Sequence, residues 1–438
     1  MTTTTLTMAQ ALTKWMAAQS IRQLDGSVAS AFAGVWAIFG HGNVAGLGEA
    51  LYGQRDSLPT FRGHNEQGMA HVAIAYAKQM NRRRFMAVTS SIGPGATNMV
   101  TAAALAHVNR LPVLLLPGDV FADRRPDPVL QQVEDFADGT VSANDCFRPV
   151  SRYFDRITRP EQILQSLPKA MSVLTDPAQC GPVTLSLCQD VQAESYAFPD
   201  RFFASRIWEM RRQRPDEAEM AKAIAVIREA KRPLILAGGG VRYSGASAAL
   251  TAFAESSGIP VAATQAGKSV MPEAHPNYVG SLGVTGSSAA NELAQRADVV
   301  LSVGSRLQDF TTGSNGLIKG QVLALNVQLH DAIKHDAMTV VGDALVGVEA
   351  LGYALAGHRT SAAYQQEFAT LKGEWDSAVD AVVKKPDGNA LPSDSAVIGA
   401  VNRNVPSPTI AVGAAGSMPG ELHKLWRAGS VDGYHMEY

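Results

Sequence analysis

The sequence predicts an α/β protein built of consecutive doubly wound parallel-sheet domains, and three observations carry that prediction. Short, mostly apolar runs such as Val35-Trp36-Ala37-Ile38-Phe39, Phe85-Met86-Ala87-Val88-Thr89 and Leu111-Pro112-Val113-Leu114-Leu115-Leu116 alternate with helical segments. Runs of this kind, without polar alternation, suit strands buried on both faces. Glycine turns follow two of them, at Gly40-His41-Gly42-Asn43 and at Ser91-Ile92-Gly93-Pro94-Gly95, and in such sheets ligands sit beyond the carboxyl ends of the strands. At 438 residues and 46% hydrophobic content the chain can supply cores for two or three domains.

In chain order, residues 6–19 read as an amphipathic helix before the strand at 35–39, and a helix around Ala45–Tyr52 follows the first glycine turn. The stretch Phe61-Arg62-Gly63-His64-Asn65-Glu66-Gln67-Gly68-Met69-Ala70-His71 opens an alanine-rich helix with one carboxylate, Glu66, at its mouth. A helix over Asn98–Val108 separates the strands at 85–89 and 111–116, and Pro117-Gly118-Asp119 closes the latter. The helix Arg159–Leu174 and the strand Pro182–Leu187 complete the first unit, and a polar, arginine-rich stretch at 192–216 reads as a surface linker. A second unit begins with the helix Glu217–Arg228 and has strands at Pro233–Ala237, Ile259–Ala263, Asp298–Val303 and Val322–Asn326. Residues 358–393 are charged and helical, with a break at Lys384-Lys385-Pro386-Asp387-Gly388. The helix Ser395–Asn402, the strand Thr409–Val412 and the turn Gly413–Ser417 start a third unit that is only partly present. The expected division is therefore 1–191, a linker at 192–216, 217–353, a linker at 354–394, and 395–438.

Composition removes several function classes. The 38 basic and 40 acidic residues give a net charge of −2 without large blocks, so neither nucleic acid nor a membrane is an expected partner. Arg82-Arg83-Arg84, the densest basic run, reads as a solvated helix end. Cys146, Cys180 and Cys188 form no CxxC pair and are expected as reduced thiols. The start of the sequence shows no secretory signal, and no apolar run approaches the ~20 residues of a membrane helix. A soluble cytoplasmic protein is expected.

The chemistry-bearing residues leave alternatives open. Gly238-Gly239-Gly240 after a strand could cradle a pyrophosphate or form a simple tight turn; it lacks a full GxGxxG and the acid that accompanies it. His41 and His64 lie beside glycines, where imidazoles suit proton transfer near neutral pH. There is no HExxH, no GxSxG and no GxxxxGK[ST]. Glu66 is either a helix-end carboxylate favoured by the macrodipole or a catalytic acid, and spacing alone does not choose.

The order and spacing of Gly40–Asn43, Arg62–Gly68, Gly93-Pro94-Gly95-Ala96-Thr97-Asn98, Leu111–Asp119 and Gly181–Val191 resemble thiamine-diphosphate-dependent enzymes of the acetolactate synthase type. Asn65–His71, Phe39–Val44 and Pro126-Asp127-Pro128-Val129-Leu130-Gln131-Gln132 are most similar, within that group, to hydrolases that open a trihydroxycyclohexanedione ring in myo-inositol catabolism. The resemblance implies that 1–191 binds the cofactor's pyrimidine and 395–438 begins the diphosphate-binding domain. It implies that Glu66 hydrogen-bonds the aminopyrimidine, favouring the tautomer that removes the thiazolium proton. It makes His41 a candidate acid/base, with His64 and Gln131 weaker candidates. Gly42, Asn43, Gly93, Pro94 and Asn98 would contact the cofactor, and Gly416, Ser417 and Met418 would meet its diphosphate through backbone N–H groups. The implied substrate is a small cyclic diketone, and the implied assembly a homodimer or homotetramer with sites between subunits. The family's GDG…N motif, which holds Mg²⁺, has no counterpart in this sequence, so thiamine diphosphate and Mg²⁺ are expected cofactors with no metal ligand assigned here, and FAD is not expected. A carboligase or 2-oxoacid decarboxylase is the alternative activity, and a non-catalytic subunit that holds no cofactor is the alternative of another class.

Overall fold

Thr7 starts the first helix. Its hydroxyl accepts the Gln10 N–H at 3.2 Å while the Gln10 side chain returns a 3.0 Å bond to the Thr7 N–H, a reciprocal cap that sets Met8–Ala17. The helix then buries Met8, Leu12, Trp15 and Met16 in the core of the first of two compact units, Met1–Arg211 and Arg212–Tyr438. The computed structural model describes residues 2–385 and 391–436.

The first unit is organised on six strands: β1 (Phe32–Ala37), β2 (Thr60–Arg62), β3 (Phe85–Ser90), β4 (Val113–Asp119), β5 (Tyr153–Ile157) and β6 (Pro182–Cys188). They are parallel throughout, in the order β2-β1-β3-β4-β6-β5. Every residue of β3, β4 and β6 is buried, as continuous apolar runs require when both faces are covered. Strand β4 runs through Pro117-Gly118-Asp119, which the sequence had suggested as a closing turn. Pro117 lies opposite Ser90, and the pairing with β6 resumes at Gly118–Leu187, so the missing N–H of Pro117 falls at a gap in that ladder.

Two further corrections concern polar stretches. The 192–216 segment, expected as a linker, contains Ser195–Pro199, antiparallel to Thr3–Thr7, and Arg206–Trp208, parallel to Gln19–Arg22. Phe198 is fully buried there and packs against the rings of Phe202 and Phe203. Arg82 and Arg83 are buried rather than solvated. Their forks donate to the carbonyls of Asn109 and Arg22, and Arg84 donates to that of Ser30, so all three guanidinium groups tie β-sheet entrances together. Cys180 and Cys188 are buried, Cys146 is exposed, and all three are free thiols.

The second unit has its own parallel sheet: β7 (Pro233–Ala237), β8 (Val261–Ala263), β9 (Tyr278–Ser281), β10 (Val299–Val303), β11 (Gln321–Asn326) and β12 (Met338–Val341), in the order β9-β8-β7-β10-β11-β12. Asp216 caps the leading helix Glu217–Glu229 through the N–H groups of Ala218 and Glu219. The triglycine after β7 has a local structural use. A Cβ on Gly238 would lie 2.5 Å from the Gly304 carbonyl oxygen and one on Gly240 2.7 Å from Gly304 Cα, so these glycines let two strand-end turns touch. The charged stretch after the sheet forms the helix Ala362–Val382. Of the expected break at 384–388, residues 386–388 lie outside the described residues. The chain continues as the helix Asp394–Asn404, the strand Ala411–Gly413, the helix Ser417–Leu425 and the strand Tyr434–Met436, which pairs parallel with Ala411–Gly413. Val379, Ile398, Leu425, Trp426 and Tyr434 form their small core. No helix among the described residues is long and apolar enough to cross a membrane.

Candidate active site

The strand order of the first unit reverses at β1: the chain steps from β1 to β2 on one side, then crosses to β3 on the other. Turns that leave β1 and β3 at their carboxyl ends therefore diverge and open a crevice at the switch point. Gly40–Asn43 and Ser91–Asn98 are those turns, and Glu66 arrives beside them at the start of the helix that follows β2.

Asn65 sets that helix. Its side-chain oxygen accepts the Gly68 N–H at 2.6 Å, which fixes Glu66 as the first helical residue. Across the crevice, Gly93 and Pro94 start a short helical turn, Pro94–Thr97, with Pro at a position where its lost N–H costs nothing. The turn carries Asn98, whose Nδ2 donates to Glu66 Oε2 at 2.8 Å. Oε1 of the same carboxylate receives no donor among the described residues and faces Gly95, where an added Cβ would lie 3.3 Å away. Gly93 has φ +63° and ψ −120°, a conformation open to glycine alone, and a Cβ there would meet the Gln131 carbonyl oxygen at 2.1 Å. Glu66 is half-buried and Asn98 exposed, so this chain does not by itself enclose the acid in an apolar pocket.

The β1 turn is held by side chains from elsewhere in the unit. Asn43, 2% exposed, accepts the Gly40 N–H at 2.9 Å and donates to the Ile38 carbonyl and to Thr89 Oγ1. Every polar atom of Asn43 is thereby used inside the protein. Gln192, 1% exposed, donates to the Gly42 carbonyl at 2.8 Å and accepts the Leu47 N–H at 3.2 Å. His41, half-buried, has Nε2 on the Leu130 carbonyl. A carbonyl only accepts, so Nε2 carries the proton of the neutral ring and Nδ1 is left as the acceptor. Gln131 is exposed with φ +64°, and its backbone carbonyl, not its side chain, is what reaches the Gly93 turn. His64 is exposed just before the Asn65 cap and makes no hydrogen bond among the described residues. Sequence reasoning missed Gln192; its only signal was a polar residue where the chain leaves an apolar strand.

Gly416, Ser417 and Met418 belong to the second unit. Gly416, with φ +138°, precedes the helix Ser417–Leu425, whose first turn has no side-chain cap and is exposed on its Ser417 side. Uncapped N–H groups at such an end suit an anion. Among the described residues no group of three or more His, Cys, Asp or Glu stands together to hold a metal ion.

Comparison with known proteins places this geometry. Residues 7–138 match the model "Thiamine pyrophosphate enzyme, N-terminal TPP binding domain", and residues 220–351 match "Thiamine pyrophosphate enzyme, central domain". A protein of Geobacillus thermodenitrificans named 3D-(3,5/4)-trihydroxycyclohexane-1,2-dione hydrolase is 45% identical over 462 aligned positions, covering 100% of this chain and 72% of that protein. Proteins of the same name from Clostridium perfringens and Clostridium tetani are 44% and 43% identical, covering 99% and 100% of this chain and 72% of each relative. The chain belongs to the thiamine pyrophosphate enzyme family.

Proposed function

We propose that this chain is a thiamine-diphosphate-dependent hydrolase that cleaves a ring C–C bond of 3D-(3,5/4)-trihydroxycyclohexane-1,2-dione, giving 5-deoxyglucuronate in myo-inositol catabolism. The observation that carries the reading is the Glu66 carboxylate, fixed through Oε2 by Asn98 and open at Oε1 beside the turn after β3, in a chain 45% identical to a hydrolase so named. When bound, thiamine diphosphate supplies a carbon nucleophile and an electron sink next to the bond that breaks. Glu66 holds the aminopyrimidine and shares a proton through Oε1. His41 moves a proton at Nδ1, to or from the attacking water or a substrate hydroxyl. Gly42, Gly93 and Pro94 shape the walls, Asn43 stiffens the β1 turn, and Asn98 orients Glu66. His64 and Gln131 lie at the rim as lesser candidates. Gly416, Ser417 and Met418 offer backbone N–H groups to the diphosphate.

The proposed division is 1–191 for the pyrimidine, 217–353 as the central domain and 395–438 as the start of the diphosphate-binding domain, with 192–216 and 354–394 between them. Mg²⁺ accompanies the diphosphate, although among the described residues no group of three or more His, Cys, Asp or Glu stands together to hold it. FAD is not part of the proposal. The half-exposed Glu66 supports a homodimer or homotetramer in which a second copy closes the site, and the proposed location is the cytoplasm.

The test is turnover of the cyclic dione by the protein with added thiamine diphosphate and Mg²⁺, followed by chromatography of the deoxyuronic acid, beside a pyruvate control. Ring-opened acid with no acetolactate is expected. Acetolactate from pyruvate would replace this reading by a carboligase, and failure to bind the cofactor in calorimetry would replace it by a non-catalytic subunit.

A further inference from the structure

We propose that Asp119 is a positioning residue for this reaction: it pins both ends of the irregular 120–141 segment so that the middle of that segment is held on the His41 and Gly93 turns. The reaction in question is the one proposed above; the placement itself stands on geometry.

Asp119 ends β4 and is 1% exposed, yet its carboxylate accepts four donors. Oδ1 accepts the Val120 N–H at 2.8 Å and the Ser142 hydroxyl at 2.6 Å. Oδ2 accepts Arg156 Nε at 2.8 Å and the Ser186 hydroxyl. Val120 is the first residue of the segment and Ser142 the residue just past its end, so one carboxylate closes a long loop at its root. Ser142 in turn caps the 3₁₀ helix Ala143–Val150, and Arg156 bridges from Asp119 to Asp145 in that helix at 3.0 Å. A second clasp starts from the strand end next door, where the Asp190 carboxylate accepts the N–H groups of Ala122 and Asp123.

Between these anchors the segment has no strand or helix, and Leu130, Val133 and Phe136 are 70%, 50% and 98% exposed. It touches the site at two adjacent points: the Leu130 carbonyl on His41 Nε2, and the Gln131 carbonyl against Gly93. The first contact fixes the tautomer of His41, the second the space over the turn that carries Asn98. A segment with no core of its own keeps such contacts only if its ends are fixed, because an unanchored loop of this length gains conformational entropy by leaving them.

The test compares Asp119→Asn and Ser142→Ala with the parent protein by hydrogen exchange and by NMR of ring-labelled histidines. An amide at 119 can still accept at one oxygen position but turns N–H groups toward two donors at the other. Removing the Ser142 hydroxyl cuts one tie without leaving a buried charge unpaired. In both variants, peptides covering 120–141 are expected to exchange at least about tenfold faster while β3 peptides stay within about twofold, and the His41 ring signals are expected to shift while those of His64 do not. In enzyme competent for turnover, kcat should fall with the cofactor's apparent affinity unchanged. Unchanged loop exchange in both variants would overturn the proposal, as would equal acceleration of loop and β3 in both, which would make Asp119 a core residue only. Because exchange and ring shifts need no substrate, a failed dione assay would sink the proposed function and leave this inference to its own result.

Discussion

Replacing Glu66 by glutamine separates the proton from the shape of the site. Glutamine has the same reach, and it can turn its carbonyl oxygen to Asn98 Nδ2 and keep the 2.8 Å bond. With that partner retained and the side chain only half-buried, stability should stay within about 0.5 kcal/mol of the parent. At the open position beside Gly95, however, the variant presents an amide that has no proton to share. The loss is that of a general acid–base group, about 10²- to 10⁴-fold, or ~3–5 kcal/mol of barrier. The assay is the rate at which the C2 proton of bound thiamine diphosphate exchanges with solvent deuterium, quenched in acid and read by NMR, beside a calorimetric Kd. Exchange slowed by about 10²-fold or more with Kd within about tenfold is expected for Glu66→Gln. Exchange within about tenfold of the parent would refute the role given to Oε1. Glu66→Asp, one methylene shorter, should lose the Asn98 contact and weaken both quantities.

Gly93→Ala places a Cβ 2.1 Å from the Gln131 carbonyl oxygen at a φ that alanine avoids, so a loss of roughly 1–3 kcal/mol is expected. It should come with faster proteolysis within 120–141, and an unchanged melting temperature and cleavage rate would count against the close packing. Burial, and then the Lys268 ammonium, push the His423 imidazole down to about 3 from an ordinary 6.5. The unfolded chain therefore binds the extra proton first: the stabilisation is complete above pH 6.5 and drains as the pH falls toward 3. Between pH 7 and pH 5 this amounts to about 2 kcal/mol, and His423→Gln should flatten that slope in hydrogen exchange of β9 peptides. Identical slopes in parent and variant would show that another group carries the acid sensitivity.

What the sequence reveals about the site divides by the range of the interactions. Glu66 stood out because an acid in an alanine-rich helix breaks a pattern within a few residues, but that pattern left a helix-end carboxylate equally open, and only the family resemblance chose between the two. The buried strands β3, β4 and β6 were legible as unbroken apolar runs. Strands such as Thr3–Thr7 and Ser195–Pro199 were not, since each is polar on one side and is defined by a partner nearly 200 residues away. Gln192 on Gly42 and Ser142 on Asp119 are likewise long-range pairs that no local spacing announces. Arg82 and Arg83 misled for a related reason: a basic run reads as solvated until the carbonyls it serves are known.

The pattern of satisfied and unsatisfied atoms then separates groups placed to handle a proton from groups that hold the fold. Asn43 and Asp119 are buried, and every side-chain oxygen and nitrogen they possess is engaged by protein. Such groups can stiffen a turn but have nothing left to offer a ligand. His64 stands at the other extreme, exposed and without a hydrogen bond among the described residues, so nothing orients its ring. Glu66 and His41 fall between. One atom of each is tied by protein, Oε2 to Asn98 and Nε2 to the Leu130 carbonyl, and the other is open. A group that must give and take a proton at a fixed point needs both conditions at once, orientation by one atom and availability of the other. Two side chains that meet them, one at the turn after β1 and one beside the turn after β3, flank the switch point where the strand order opens the sheet.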